Sequence, residues 1–218
     1  MPSALILIAD GTEEMEFTIT YDTLVRAGVK TVSAYVVEFA SSNVGKGSNP
    51  PPAKCSRGMK ILPDVFFDLS ACGPDVYDLI VIPGGAQGAE TMSNHPSVQE
   101  VIKRYIERNK LVAMICAGSY QIITSSGVHI FTPIQGSLAA KTAVLARQPL
   151  TSHPSVKAQL EHDFEYSEES VVVSDNLVTS RGPGTAFPFA LTLVELLCGP
   201  EKRAEIRVPM VFPPNTPF

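Results

Sequence analysis

This chain has no run of positive charge. With a formal net charge of −5 over 218 residues, it lacks the basic stripe that counterion release on nucleic acid or attraction to an anionic membrane requires. It has no C-x-x-C. Its four cysteines, Cys55, Cys72, Cys116 and Cys198, fall at irregular spacings, which argues against a secreted disulfide framework and against a zinc site built from ligand pairs. Long apolar runs are missing as well. Met1 to Ala9 is too short for a membrane span and has neither the positive flank nor the cleavage site of a signal, and Ala186 to Cys198 is short and carries Pro188 and Glu195. The expectation is a reduced, cytoplasmic protein, with the nucleus as a second location. No dinucleotide fingerprint follows the first apolar run, and Gly45-Lys46-Gly47-Ser48 lacks the spacing of a phosphate loop. No G-x-S-x-G occurs, so a nucleophile held at a strand-to-helix turn here would have to be sulfur.

What is present is an alternation of strands and helices, with 44% apolar and 18% charged residues, enough for one well-packed domain over 1–218. Ala4 to Ala9 is a continuous apolar run, as a parallel strand buried on both faces reads. Asp10 to Glu13 supplies capping residues for a helix running to about Ala27, where Gly28 ends it. Lys30 to Phe39 reads as a second strand, Leu79 to Ile82 as a third closed by Pro83-Gly84-Gly85, and Leu111 to Ile115 as a fourth. Pro96 to Asn109 has helical spacing through Val98, Val101, Ile102, Tyr105 and Ile106. Val171 to Val173 and Leu177 to Thr179 flank a Ser174-Asp175-Asn176 hairpin turn, and Thr185 to Leu197 is a helix apolar nearly all round. This order predicts a doubly wound, mostly parallel sheet with helices on both faces, whose sites form at the carboxyl ends of the strands.

Three features converge at those ends: Asp10 to Glu16, Pro83-Gly84-Gly85, and Cys116. The stretch Met114-Ile115-Cys116-Ala117-Gly118 passes from strand to small-residue helix start and can expose one cysteine at a sharp turn. A plain buried cysteine at a strand end is the competing reading. An isolated cysteine ionises near a pKa of about 8.5, and reactive ones fall to roughly 3.5–7.5. Helix N–H groups supply part of such a drop. A carboxyl of the Glu13, Glu14 and Glu16 cluster supplies more only if protonated, because an ionised one opposes the thiolate.

The ordered motifs Ala9 to Glu16, Pro83-Gly84-Gly85, Ile115 to Gly118 and Thr179 to Thr185 resemble the DJ-1/PfpI family, in its DJ-1 branch. The resemblance covers residues 1–39, 53–128 and about 151–212. It implies a flavodoxin-like sandwich of the class I glutamine amidotransferase type and a cysteine-dependent glyoxalase or deglycase that uses no cofactor and no metal. Carried over, Cys116 corresponds to the nucleophile and Glu16 to the acid that bonds its sulfur and shuttles protons. Gly85 and Ala117 correspond to backbone donors for an oxyanion, and His153 to a histidine near the nucleophile. Read without the family, Glu16 is a first-turn acid stabilising a helix dipole, Pro83-Gly84-Gly85 a sharp turn, and His153 a solvated turn residue. Arg181 to Thr185 is expected to shape the turn that starts the next helix. The family also implies a homodimer, with the Met15 to Val25 helix near its interface.

Two stretches depart from the family: a long loop at about 40–52 and an insertion at about 129–150, which leaves His129 as a poor second candidate beside His153. A peptidase of the PfpI branch would carry histidine after the cysteine, where Ala117 stands, and an amidotransferase would need a late H-x-E, which none of His95, His129, His153 and His162 begins. The leading expectation is glutathione-independent conversion of methylglyoxal or glyoxal to lactate or glycolate, of the D-lactate dehydratase type, or deglycation at the same site. A non-enzymatic redox sensor or chaperone is the alternative, because the same thiolate is easily oxidised.

Overall fold

The computed structural model of the chain describes residues 1–38, 49–116, 148–162 and 164–218. In chain order its elements are β1 (Ser3–Ile8), α1 (Glu14–Arg26), β2 (Lys30–Tyr35), β3 (Ala53–Lys54), β4 (Lys60–Ile61), β5 (Val65–Phe66) and β6 (Leu79–Ile82). There follow α2 (Ala86–Ser93), α3 (Pro96–Glu107), β7 (Leu111–Ile115), β8 (Pro149–Leu150), α4 (Lys157–Leu160), β9 (Glu165–Tyr166), β10 (Val171–Ser174), β11 (Leu177–Ser180), α5 (Ala186–Cys198) and α6 (Pro200–Arg207).

A seven-stranded sheet runs β10-β11-β7-β6-β1-β2-β5. Every pairing in it is parallel except β10 with β11, so the predicted mostly parallel, flavodoxin-like α/β fold is what forms. β1, β6 and β7 are apolar on both faces because both are covered. Leu5, Leu7, Ile80, Ile82, Val112 and Met114 pack with Val98, Val101, Ile102 and Tyr105 of α3. Ile6, Ile8, Val81, Ala113 and Ile115 meet Phe17 and Leu24 of α1 and Phe189 and Leu193 of α5 on the other side. Each of the Val, Leu, Ile, Met and Phe side chains among these contributes about 1.5–3 kcal/mol on burial. From β1 the chain winds outward through β2 and β5, then returns beside β1 as β6 and winds the other way, so strand order reverses between β1 and β6. A crevice at that reversal is where α/β sheets place their sites.

Several expected boundaries shift. The second strand stops at Tyr35, and Phe39 lies outside the described residues. The cap of α1 is Glu13, whose carboxylate accepts the Glu16 N–H at 2.8 Å, rather than Asp10. Asp10 instead accepts from Lys54 N–H and the Tyr35 hydroxyl. α5 is buried through Val194, but Leu196 in its last turn is 44% exposed, so it is not covered all round. Residues 39–48 of the long loop and 117–147, which hold Ala117, His129 and most of the second insertion, lie outside the described residues.

Candidate active site

The carboxyl ends of β1, β6, β7 and β11 assemble the site. β7 ends at Cys116, whose φ is +65°, a left-handed conformation uncommon for a residue with a side chain. Its N–H donates to the Ser180 carbonyl at the end of β11, 3.0 Å away, which helps fix the turn. The sulfur-bearing residue is half-buried. Strain at a strand end that presents a cysteine is the arrangement in which backbone outliers cluster at functional positions.

Glu16 lies in the first turn of α1 and is wholly buried. Its Oε2 accepts the Gly84 N–H at 2.7 Å. The Cys116 thiol is also hydrogen bonded to this carboxyl. Burial pushes the Glu16 acid from its ordinary 4.5 up to about 7; the Gly84 N–H opposes the rise, the Glu13 carboxylate adds to it by repulsion, and the Cys116 hydrogen bond opposes it. Among the described residues nothing donates to the buried Oε1, and ionising a carboxyl with a bare buried oxygen is costly. The acid is therefore divided between its two forms near neutral pH, as an acid that gives and takes protons requires.

Gly84 is the residue that sequence reasoning passed over. A methyl on it would stand 2.6 Å from Cys116 Cβ, 2.8 Å from Glu16 Oε2 and 3.1 Å from Cys116 Sγ. Only a bare backbone lets the end of β6 lie against both groups. The signal was present as the first glycine of Pro83-Gly84-Gly85, but nothing in a glycine pair says which member does which task. Gly85 has φ +89° and opens α2. A methyl there would fall 2.2 Å from the Gly11 carbonyl oxygen. Its N–H donates to no backbone acceptor among the described residues.

The remaining acid of the cluster turns away. Glu14 accepts from Ser56 Oγ and Arg57 N–H, 2.8 Å each, and so ties the β3–β4 turn to α1. His153 stands at the rim: its ring Cδ2 is 3.7 Å from where a methyl on Gly182 would sit, two residues past Ser180. Its Nδ1 is bonded to Ser155 Oγ at 2.7 Å, so the ring is tied to Ser155 rather than to Glu16 or Cys116. Ala117 lies outside the described residues. Thr185 Oγ1 accepts from Arg181 N–H and Gly182 N–H at 3.1 Å each, which gives the Arg181 to Thr185 stretch the turn-shaping role expected of it. Among the described residues no group of three or more His, Cys, Asp or Glu could hold a metal ion, and no helix is long and apolar enough to cross a membrane.

The raised acidity constant of Glu16 has a cost in stability with a definite sign. Because the folded acid holds its proton more tightly than the unfolded one, its favourable contribution is whole below about 4.5 and is lost as pH climbs toward 7. Glu16→Gln keeps an acceptor for Gly84 and cannot ionise. The variant is expected to gain on the native protein as pH rises through this window, by up to about 3 kcal/mol once neutral pH is passed. Denaturant unfolding from acid to neutral pH checks this, and a difference independent of pH would contradict it.

Comparison with known proteins gives a consistent result. A sequence profile described as the DJ-1/PfpI family matches residues 2–130 and 135–196. Protein dj-1beta of Drosophila melanogaster is 38% identical over 205 residues, 94% of each chain. The glutathione-independent glyoxalase DJ-1 of Schizosaccharomyces pombe is 36% identical over 204 residues, 93% of this chain and 94% of that one. The crystal structure of Drosophila melanogaster DJ-1beta superposes with a TM-score of 0.78 at 34% identity, covering 96% of this chain and 97% of that one.

Proposed function

The chain belongs to the DJ-1/PfpI family, and from that premise we propose that it is a glutathione-independent glyoxalase whose nucleophile is Cys116 and whose acid is Glu16. The observation that carries the reading is the hydrogen-bonded pair itself: a half-buried cysteine on a left-handed turn, bonded to a buried carboxyl that titrates near 7. The name of the Schizosaccharomyces pombe relative supports the activity class.

In this reading the Cys116 thiolate adds to the aldehyde carbon of methylglyoxal. The carbonyl π pair moves to oxygen, which rests on the Gly85 N–H and on Ala117 as the second donor. Glu16, with His153 assisting from the rim, moves a proton from the carbon that bore the aldehyde to the neighbouring carbonyl oxygen through an enediol. The enediol then takes a proton at its second carbon and loses the hydroxyl proton of its first, which leaves a thioester on Cys116; water adds to that acyl carbon, the carbon–sulfur bond breaks, and lactate and the thiol are released, so no external oxidant or reductant is consumed. Glyoxal gives glycolate by the same steps, and a glycated amine or thiol enters as the hemiaminal or hemithioacetal of the same carbonyl. Purified protein supplied with methylglyoxal and no glutathione is expected to form lactate; its absence defeats the reading.

A second reading rests on the same geometry. A thiolate beside a buried acid is readily oxidised, and the acid can bond a sulfinate oxygen. Intact mass after mild peroxide, run beside the lactate assay, separates the two: rapid gain of two oxygens without turnover favours a sensor.

We also place the protein as a homodimer in a reducing compartment. Met15 and Val25 of α1 are 51% and 47% exposed, an apolar pair on a helix that otherwise buries its face. Met15→Arg is expected to shift sedimentation from dimer to monomer; a native protein that sediments as a monomer at all concentrations contradicts the placement.

A further inference from the structure

Three hydrogen bonds close a ring behind the Cys116–Glu16 pair. The Glu13 N–H donates to the Gly84 carbonyl at 3.0 Å, the Gly84 N–H donates to Glu16 Oε2 at 2.7 Å, and the Glu16 N–H donates to Glu13 Oε2 at 2.8 Å. Glu13 is only 7% exposed. Its side chain is thus a nearly buried acid whose hydrogen-bonding task among the described residues, capping α1, a neutral serine or asparagine performs as well. A charge kept where a neutral cap would serve calls for a further task.

We propose that Glu13 is a positioning residue for the reaction, clamping Glu16 against Gly84 through the ring and setting a second carboxyl beside it. The proposal rests on the reading of Cys116 and Glu16 as a working pair. A carboxyl that stays protonated beside a thiol leaves the negative charge to sulfur, whereas an ionised one pushes the proton back onto sulfur, so the two groups titrate as one system. Glu13 biases that exchange because it is bonded to Glu16 and acts on its acidity directly.

Among the described residues, the other ionisable groups around the pair are engaged elsewhere. Glu14 is engaged with Ser56 and Arg57, and Asp10 with Lys54 and Tyr35. From the β3–β4 side, Cys55 is held neutral, its thiol pushed up to about 11 by burial and by Glu14, Glu13 and Asp10. From α5, Glu195 is paired with Arg203. At the rim His153 is bonded to Ser155. Cys116 is the group that faces Glu16 across the site.

The test is an infrared titration of the Glu16 carboxylic-acid band, assigned by its loss in Glu16→Gln. In Glu13→Gln, and in Glu13→Ser as a second neutral cap, the midpoint is expected to fall below that of the native protein, and the acid limb of the kcat/KM profile for methylglyoxal to move with it. Glu13→Asp, which keeps both cap and charge, is expected to restore the midpoint. Neutral variants that titrate as the native protein does, in either substitution that folds, overturn the proposal, since loss of a cap alone lowers stability without moving this band. The titration needs no turnover, so it stands or falls separately from the glyoxalase reading: native protein without lactate formation but with the band shift removes the reaction and leaves the electrostatic role of Glu13.

Discussion

Cys116→Ser is expected to lower kcat/KM for methylglyoxal by at least about 10³-fold while leaving the fold intact. Serine fits the site: it is near in size, the turn's left-handed φ of +65° burdens both residues alike, and the N–H bond to Ser180 belongs to the backbone. What changes is the nucleophile. A thiol ionises near a pKa of about 8.5, far below a serine hydroxyl, and amides or a protonated acid beside a thiol favour its thiolate further. A serine hydroxyl needs a strong neighbouring base, and Glu16 is an acid still half protonated near 7. No other cysteine replaces it. Burial raises the thiols of Cys55, to about 11, and of Cys72 and Cys198, and Cys55 and Cys72 are 3% and 1% exposed. Lactate production beside a melting curve for the variant decides the matter; native-like turnover from a folded serine variant removes Cys116 from the mechanism.

The parts of this molecule that could be read from its sequence are those where one physical demand acts on a whole segment. β1, β6 and β7 are buried on both faces, so every position past Ser3 at the edge of β1 is apolar, and their limits emerged to within a residue. α3 was legible because one face alone is buried, at Val98, Val101, Ile102 and Tyr105. The two-residue strands β3, β4, β5, β8 and β9 are too short to carry a period, and only their partners make them strands. At the site, residue chemistry placed Cys116 at a turn but did not choose among Glu13, Glu14 and Glu16; only the resemblance to the family singled out Glu16. Three acids within one helical turn differ in direction, and direction depends on what each meets: the α1 amide for Glu13, the Ser56–Arg57 turn for Glu14, and Gly84 for Glu16. The Asp10 cap was misassigned for the same reason, since its carboxylate is claimed by Lys54 and Tyr35, which are distant in sequence.

Adding one methyl at either glycine of Pro83-Gly84-Gly85 should have opposite consequences, although the residues are neighbours. In Gly85→Ala the new carbon falls 2.2 Å from Gly11 O, 2.6 Å from Glu13 N and 2.9 Å from Thr12 C. All three are backbone, and the position already needs φ +89°. Neither side can yield without moving the β1–α1 connection, so a loss of about 3–5 kcal/mol is expected. In Gly84→Ala the methyl meets Cys116 Cβ and Sγ and Glu16 Oε2. Those are side-chain atoms, and Gly84 is not among the residues with positive φ. The carboxyl and the sulfur can swing away, but Cβ is fixed by the Cys116 backbone, so the turn that ends β7 must shift as well; the fold survives at some cost in stability, and the geometry of the pair is undone. Misplacement on the scale of 1 Å costs on the order of 10²-fold in rate. Melting and kcat/KM for methylglyoxal, measured on both variants, should therefore separate them: Gly85→Ala mainly in stability, Gly84→Ala mainly in rate. A Gly84→Ala protein that melts and turns over as the native one does would mean that the contact between the end of β6 and the Cys116–Glu16 pair is not what holds the two groups together.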